Sequence, residues 1–141
     1  MDKEKLKITT IKSIRSLYNS LPVLIGVVLL ISLASIIIPK STYSIVFSGN
    51  YILDPIIGGI TGSILAGNPI TSYIIGGELL KQGISLIAVT SFLVAWVTVG
   101  IVQLPAESIL LGKRFALLRN AISFIFAIIV AILTVAIFNL I

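Results

Sequence analysis

The stretch ILAGNPITSYIIGGELLK, residues 64–81, places Gly67-Asn68-Pro69 inside the most apolar territory of the chain. Asparagine is a good helix N-cap and proline belongs at the first helical position, so the triplet ends one helix and starts the next. The first amides of the new helix have no acceptor within it and carry partial positive charge. Thr71 and Ser72 add hydroxyls to the same turn. A polar, anion-friendly spot is therefore expected where the surrounding sequence is greasy.

Composition says what those surroundings are. The 141 residues are 57% hydrophobic and 11% charged, with a mean hydropathy of +1.18. A soluble domain carries about 25% charged residues. This chain has too few to cover a water-facing surface, and a bilayer is the solvent that fits. In hydrocarbon a broken backbone survives only where protein buries it or where it lines a cavity.

Outward from the break, residues 51–66 and 70–80 form two short apolar arms, so 51–82 reads as a broken, re-entrant hairpin or as two tight crossings. Residues 21–38 contain 18 residues without a charge and read as a span closed by Pro39-Lys40. Residues 84–104 give a second uncharged span, Pro105 opens a half-helix over 105–112, and 115–141 gives a last span. Residues 1–20 are basic. Ile8, Ile11, Ile14 and Tyr18 recur there at helical spacing with Lys5, Lys7, Lys12 and Arg15 between them, the pattern of an amphipathic interfacial helix. The fold class expected is an all-α membrane protein: a helical bundle with an N-terminal amphipathic helix, transmembrane spans and Pro-broken re-entrant half-helices. Residues 21–141 form its single transmembrane domain.

Charge sets orientation. Five Lys/Arg lie in the N-terminal segment and three in 105–119, against Lys40 and Lys81 alone in the other connections. The positive-inside rule then predicts a multi-pass protein of the cytoplasmic (plasma) membrane with a cytoplasmic N-terminus. Positives at the edges of apolar runs do not suggest nucleic acid.

The first break has an echo. Pro69-x-x-Ser72-x-x-x-Gly76 recurs 36 residues later as Pro105-x-x-Ser108-x-x-x-Gly112. Internally repeated broken helices point to a transporter's binding site near the midplane. Asn68, Pro69, Thr71 and Ser72 are the candidate substrate contacts, facing Gln103 and Glu107. Carboxylates in or beside apolar runs are functional candidates because burial is expensive. Glu78 and Glu107 are the candidates for proton or cation coupling. Each has a plainer reading: Glu78 as the ion-pair partner of Lys81, Glu107 as a first-turn carboxylate, and Asp54-Pro55 as a helix start. Gly58-x-x-x-Gly62 reads as a close-packing motif.

There are no cysteines and no histidines, which argues against a metal site and against most nucleophilic catalysis. Gly112-Lys113 is followed by Arg114, so no phosphate-binding loop exists there. No cofactor and no enzyme activity are expected.

The stretches GSILAGNPITSYIIGGELLKQGIS (62–85) and SFLVAWVTVGIVQLPAESILLGKRFALLRN (91–120) resemble one half of the predicted-permease family that includes organoarsenical efflux permeases. A less close resemblance is to nucleoside-recognition gate domains. The first implies two related halves around one site, each with a Pro-containing re-entrant segment. A chain of half that size would work as a homodimer or with a related half-permease. The first polar break here lacks cysteine, so thiol–arsenic chemistry is not implied. The function expected is a permease of half-transporter size moving a small solute or ion, anions included. The alternatives are a non-transporting membrane scaffold or assembly subunit, or a gate-type channel subunit.

Overall fold

The structure is a computed structural model and describes residues 3–37, 45–65 and 68–140. Gly67 of the first break, Pro39-Lys40, the 39–44 part of the first connection and residue 141 lie outside the described residues. The described residues are all-helical, without strands: α1 (Lys3–Ile37), α2 (Leu53–Ile64), α3 (Pro69–Lys81), α4 (Leu86–Thr98), α5 (Leu104–Leu111) and α6 (Lys113–Phe138).

The chain divides into two compact units, 1–38 and 39–141. The first is α1. The sequence separates a basic helix ending at residue 20 from a span beginning at 21, but the helix runs through that boundary with Pro22 inside it. Proline there removes one rung of the hydrogen-bond ladder. In a continuous helix Lys7 lies on the stripe of Ile11, Ile14 and Tyr18, so that stripe is not purely apolar.

In the second unit, each helix end has an identifiable cause. Asn50 starts α2: its side chain accepts from Ile52 N–H at 2.9 Å, and its carbonyl accepts from Asp54 N–H at 3.0 Å. Leu65 is extended and ends the helix. Asn68 caps α3 by accepting from Ile70 N–H at 3.0 Å, and Pro69 follows in the first turn. Gly83, with φ of 89°, ends α3. Ile84 N–H bonds back to Leu79 and Gly83 N–H to Leu80, the paired bonds of a Schellman motif.

α4 is the centre of this unit, with Ile87, Ala88, Val89, Ser91, Phe92, Ala95 and Trp96 buried. It is helical over 86–98, so the uncharged run of 84–104 is a 13-residue helix followed by a turn at 101–103. α2 runs parallel to α4: Asp54 meets Ser85, Gly58 meets Ala88 and Gly62 meets Phe92. α3 runs back, with Gly76 against Val89 and Leu93 and Leu79 against the Ile84–Ala88–Val89 cluster. α6 is also antiparallel to α4, with Asn120 at Gly100 and Ala127 beside Ala95 and Val99. The α2–α3 break and the α4–α5 break therefore lie at the same end of the bundle.

On α2 and α6 small residues are inside and large apolar ones outside. α2 buries Asp54, Pro55, Gly58, Gly59, Gly62 and Ser63 and exposes Leu53, Ile60 and Ile64. α6 buries Ala116, Asn120, Ala127 and Ala131 while Ile122, Ile125, Phe126, Ile129 and Leu133 are exposed. α5 buries nothing.

Candidate functional site

The two breaks are neighbours. Ile101 N–H bonds to Ser63 O at 3.4 Å, and a cavity of about 220 Å³ opens between Leu65 and Pro69 on one side and Trp96, Val97, Val99, Gly100 and Gln103 on the other. Pro69 and Gln103, both singled out from the sequence, line it. The lining carries no charged side chain, and the Gln103 amide and the Trp96 indole are its polar side-chain groups.

Asn68, Thr71 and Ser72 are engaged within α3. Asn68 Oδ1 is taken by Ile70 N–H, and Thr71 N–H bonds to Asn68 O at 2.9 Å. Ser72 is buried, and its hydroxyl donates to Pro69 O at 2.7 Å. The cap thus uses amides that an anion would otherwise meet, which is what Asn68 at this position accomplishes.

Glu107 lies in the first turn of α5, with its N–H on Gln103 O at 3.0 Å. Its carboxylate pairs with Arg119 Nη1 and accepts from Asn120 Nδ2 at 3.2 Å. Arg119 Nη2 also reaches Thr98 O at 3.4 Å, at the end of α4. Glu78 is elsewhere. It pairs with Lys81 at 3.3 Å and accepts from Gln82 Nε2 at 3.1 Å, near the C-terminus of α3. Nine residues of helix, ~13 Å, separate it from Pro69.

Asp54 forms a third, separate centre. It is 1% exposed. Its Oδ1 accepts from Ser48 N–H at 3.1 Å, and Oδ2 accepts from Gly49 N–H at 3.1 Å and Ser85 Oγ at 3.2 Å. It clamps the start of α2 to the start of α4, ~20 Å along α4 from the breaks.

The sequence repeat is not a structural one. Gly76 is buried mid-helix against Val89 and Leu93, whereas Gly112 ends α5 with φ of 90°. The second copy is cut short because Gly112 is the hinge into α6.

Sequence reading missed Asn120, Arg119, Trp96 and Gly100. The signal for Asn120 was its place on the stripe of small residues Ala116, Ala127 and Ala131, since a polar side chain on that stripe must face a neighbouring helix. Among the described residues no buried side-chain nitrogen or oxygen lacks a hydrogen bond. No known protein family, characterised protein or solved structure matches the chain.

Proposed function

We propose that this is a membrane-embedded permease of half-transporter size, acting as a homo-oligomer on a small solute bound between the two breaks. The observation that carries the reading is the cavity of about 220 Å³ shared by Pro69 of one break and Gly100 and Gln103 of the other. Embedding is supported by α6, 26 residues long with a mean hydropathy of 3.0 in its most apolar window. It is supported equally by the small residues that α2 and α6 turn inward and the large apolar ones they expose, which is how helices pack in lipid. The resemblance of residues 62–120 to one half of a permease points the same way.

Two observations bear on the proposed substrate and its depth. An uncharged lining and a capped α3 favour a small neutral solute over an anion, oriented by the Gln103 amide. Asn120, which holds the second break, is seven residues or ~10 Å along α6 from Lys113. Basic residues mark the cytoplasmic boundary, so the site sits toward that side and not at the midplane.

The test is solute flux into vesicles containing the purified protein, followed by light scattering with urea and glycerol as probes. Flux above that of empty vesicles, abolished by Gly100→Leu, is the expected result. Flux equal to empty vesicles, or indifferent to Gly100→Leu, overturns the reading. A second reading, a non-transporting membrane scaffold, is favoured by the bonding of Glu107, Arg119, Asn120 and Gly100 to one another beside the cavity. It requires no flux, together with unchanged folding in Gly100→Leu.

A further inference from the structure

We infer that Asn120 is the positioning residue for the cavity wall and that Glu107 and Arg119 fix its orientation; this deepens the reading of the cavity as the working site. Asn120 is buried. Its Oδ1 accepts from Gly100 N–H at 2.9 Å, and Gly100 lines the cavity. Its Nδ2 donates to Glu107 Oε2 at 3.2 Å and to Ala116 O at 3.0 Å. One acceptor and two donors are thus all used. Turning the amide over would set donor against donor at Gly100 and acceptor against acceptor at Glu107. The carboxylate at 107 therefore selects the amide orientation that holds the wall at 100.

Arg119 completes the device. Its guanidinium pairs with Glu107 and reaches the last turn of α4 at Thr98 O, which draws α4, α5 and α6 together beside the cavity. A change at Glu107 reaches Gly100 directly through Asn120 and the neighbouring end of α4 through Arg119. The wall is a backbone segment between the end of α4 and the turn at 101–103, with few bonds of its own. Gly100 O accepts from Gln103 N–H at 3.1 Å, and Ile101 N–H reaches Ser63. Releasing Asn120 loosens that segment and opens the cavity.

Trp96 lines the cavity and is the chain's one tryptophan, so its fluorescence reports the wall without a ligand. The experiment is acrylamide quenching of the full chain in lipid vesicles. Asn120→Ala and Glu107→Ala are expected to raise the quenching constant by up to roughly fivefold, the shift in an opening equilibrium that follows loss of one net hydrogen bond. The double variant should go less far than the two single effects together, because both act in part through one contact. Glu107→Gln, which keeps an acceptor for Nδ2 but weakens the Arg119 pair, should raise the constant less than Glu107→Ala does, and Lys113→Ala should not move the signal. Unchanged quenching in folded Asn120→Ala and Glu107→Ala, or additive effects, overturns the assignment. Should Asn120→Ala fail to fold, the contrast between Glu107→Ala and Glu107→Gln decides alone: equal quenching overturns it. Absence of solute flux with this pattern intact removes the transport reading and leaves the role of Asn120 standing.

Discussion

Gly58 and Ala88 approach so closely that a Cβ at position 58 would stand 2.2 Å from the Ala88 carbonyl oxygen. One turn further, a Cβ at Gly62 would stand 2.3 Å from Phe92 O. The obstruction is backbone, which cannot rotate away, so the two helices must separate. Gly58→Ala and Gly62→Ala are each expected to cost about 2–4 kcal/mol, at the upper end of overpacking. Gly77 has open space around it within the same unit. Gly77→Ala should instead stabilise by about 0.5–1 kcal/mol, through helix propensity alone. Denaturant unfolding in detergent, followed by circular dichroism, compares the three.

Asp54 and Ser85 hold the opposite end of the bundle. The Ser85→Ala change removes one hydrogen bond and should cost about 1 kcal/mol. Asp54→Ala leaves the amides of Ser48 and Gly49 without their acceptor and should cost about 2–4 kcal/mol. Because one bond is shared, the double variant should lose less than the two single losses together. Thermal melting of the four proteins measures this; strict additivity would mean that Ser85 Oγ does not bond the carboxylate.

Much of this fold was legible because its signals are local. Asn68-Pro69 joins a favoured N-cap to a favoured first helical residue, and Gly58-x-x-x-Gly62 needs only a facing backbone. Pro105 marked α5 for the same reason. What the sequence hid was the partner of each polar group that reaches across helices, whereas the Glu78–Lys81 pair and the Asn68 cap were legible. Glu107 read as a dipole carboxylate or a proton carrier, and nothing in its neighbourhood points to residues 119 and 120. Those two meet it only because α6 folds back along α4. The cavity was hidden likewise, since Trp96 and Gly100 look like ordinary members of an apolar run until the second break turns them toward the first. The repeat misled in the opposite direction, because three matching residues do not impose matching helix lengths.

Single cysteines test the setting of the site without background, because the chain has none of its own. Gln103→Cys lines the cavity at the end of α4 and should react with a membrane-impermeant maleimide in vesicles. Phe126→Cys lies on the exposed apolar face of α6 and should be protected if lipid covers that face. Labelling from only one side of the vesicle, shared with Lys113→Cys, is expected for Gln103→Cys. Equal labelling of positions 103 and 126 in intact vesicles would remove the bilayer from the account.

The arrangement of small residues within and large ones without inverts the usual cost of substitution on α6. Ala131 is fully buried where α6 carries its stripe of small residues, so Ala131→Leu must push helices apart and should cost about 1–3 kcal/mol. Phe126 is much larger but 58% exposed. If its ring meets lipid in the folded and the unfolded state alike, Phe126→Ala changes little, within about 0.5 kcal/mol, because no apolar area is withdrawn from water on folding. A water-soluble protein would show the same small effect at position 126 but would gain solubility from it. The two cases part on the combined variant Phe126→Lys with Ile129→Lys, which a soluble fold tolerates on an exposed face and a bilayer-inserted helix, at about 2.5–3.5 kcal/mol for each lysine near its centre, does not. Loss of membrane insertion in that variant, with Ala131→Leu still inserted but less stable, is the expected outcome of vesicle flotation and unfolding measured together.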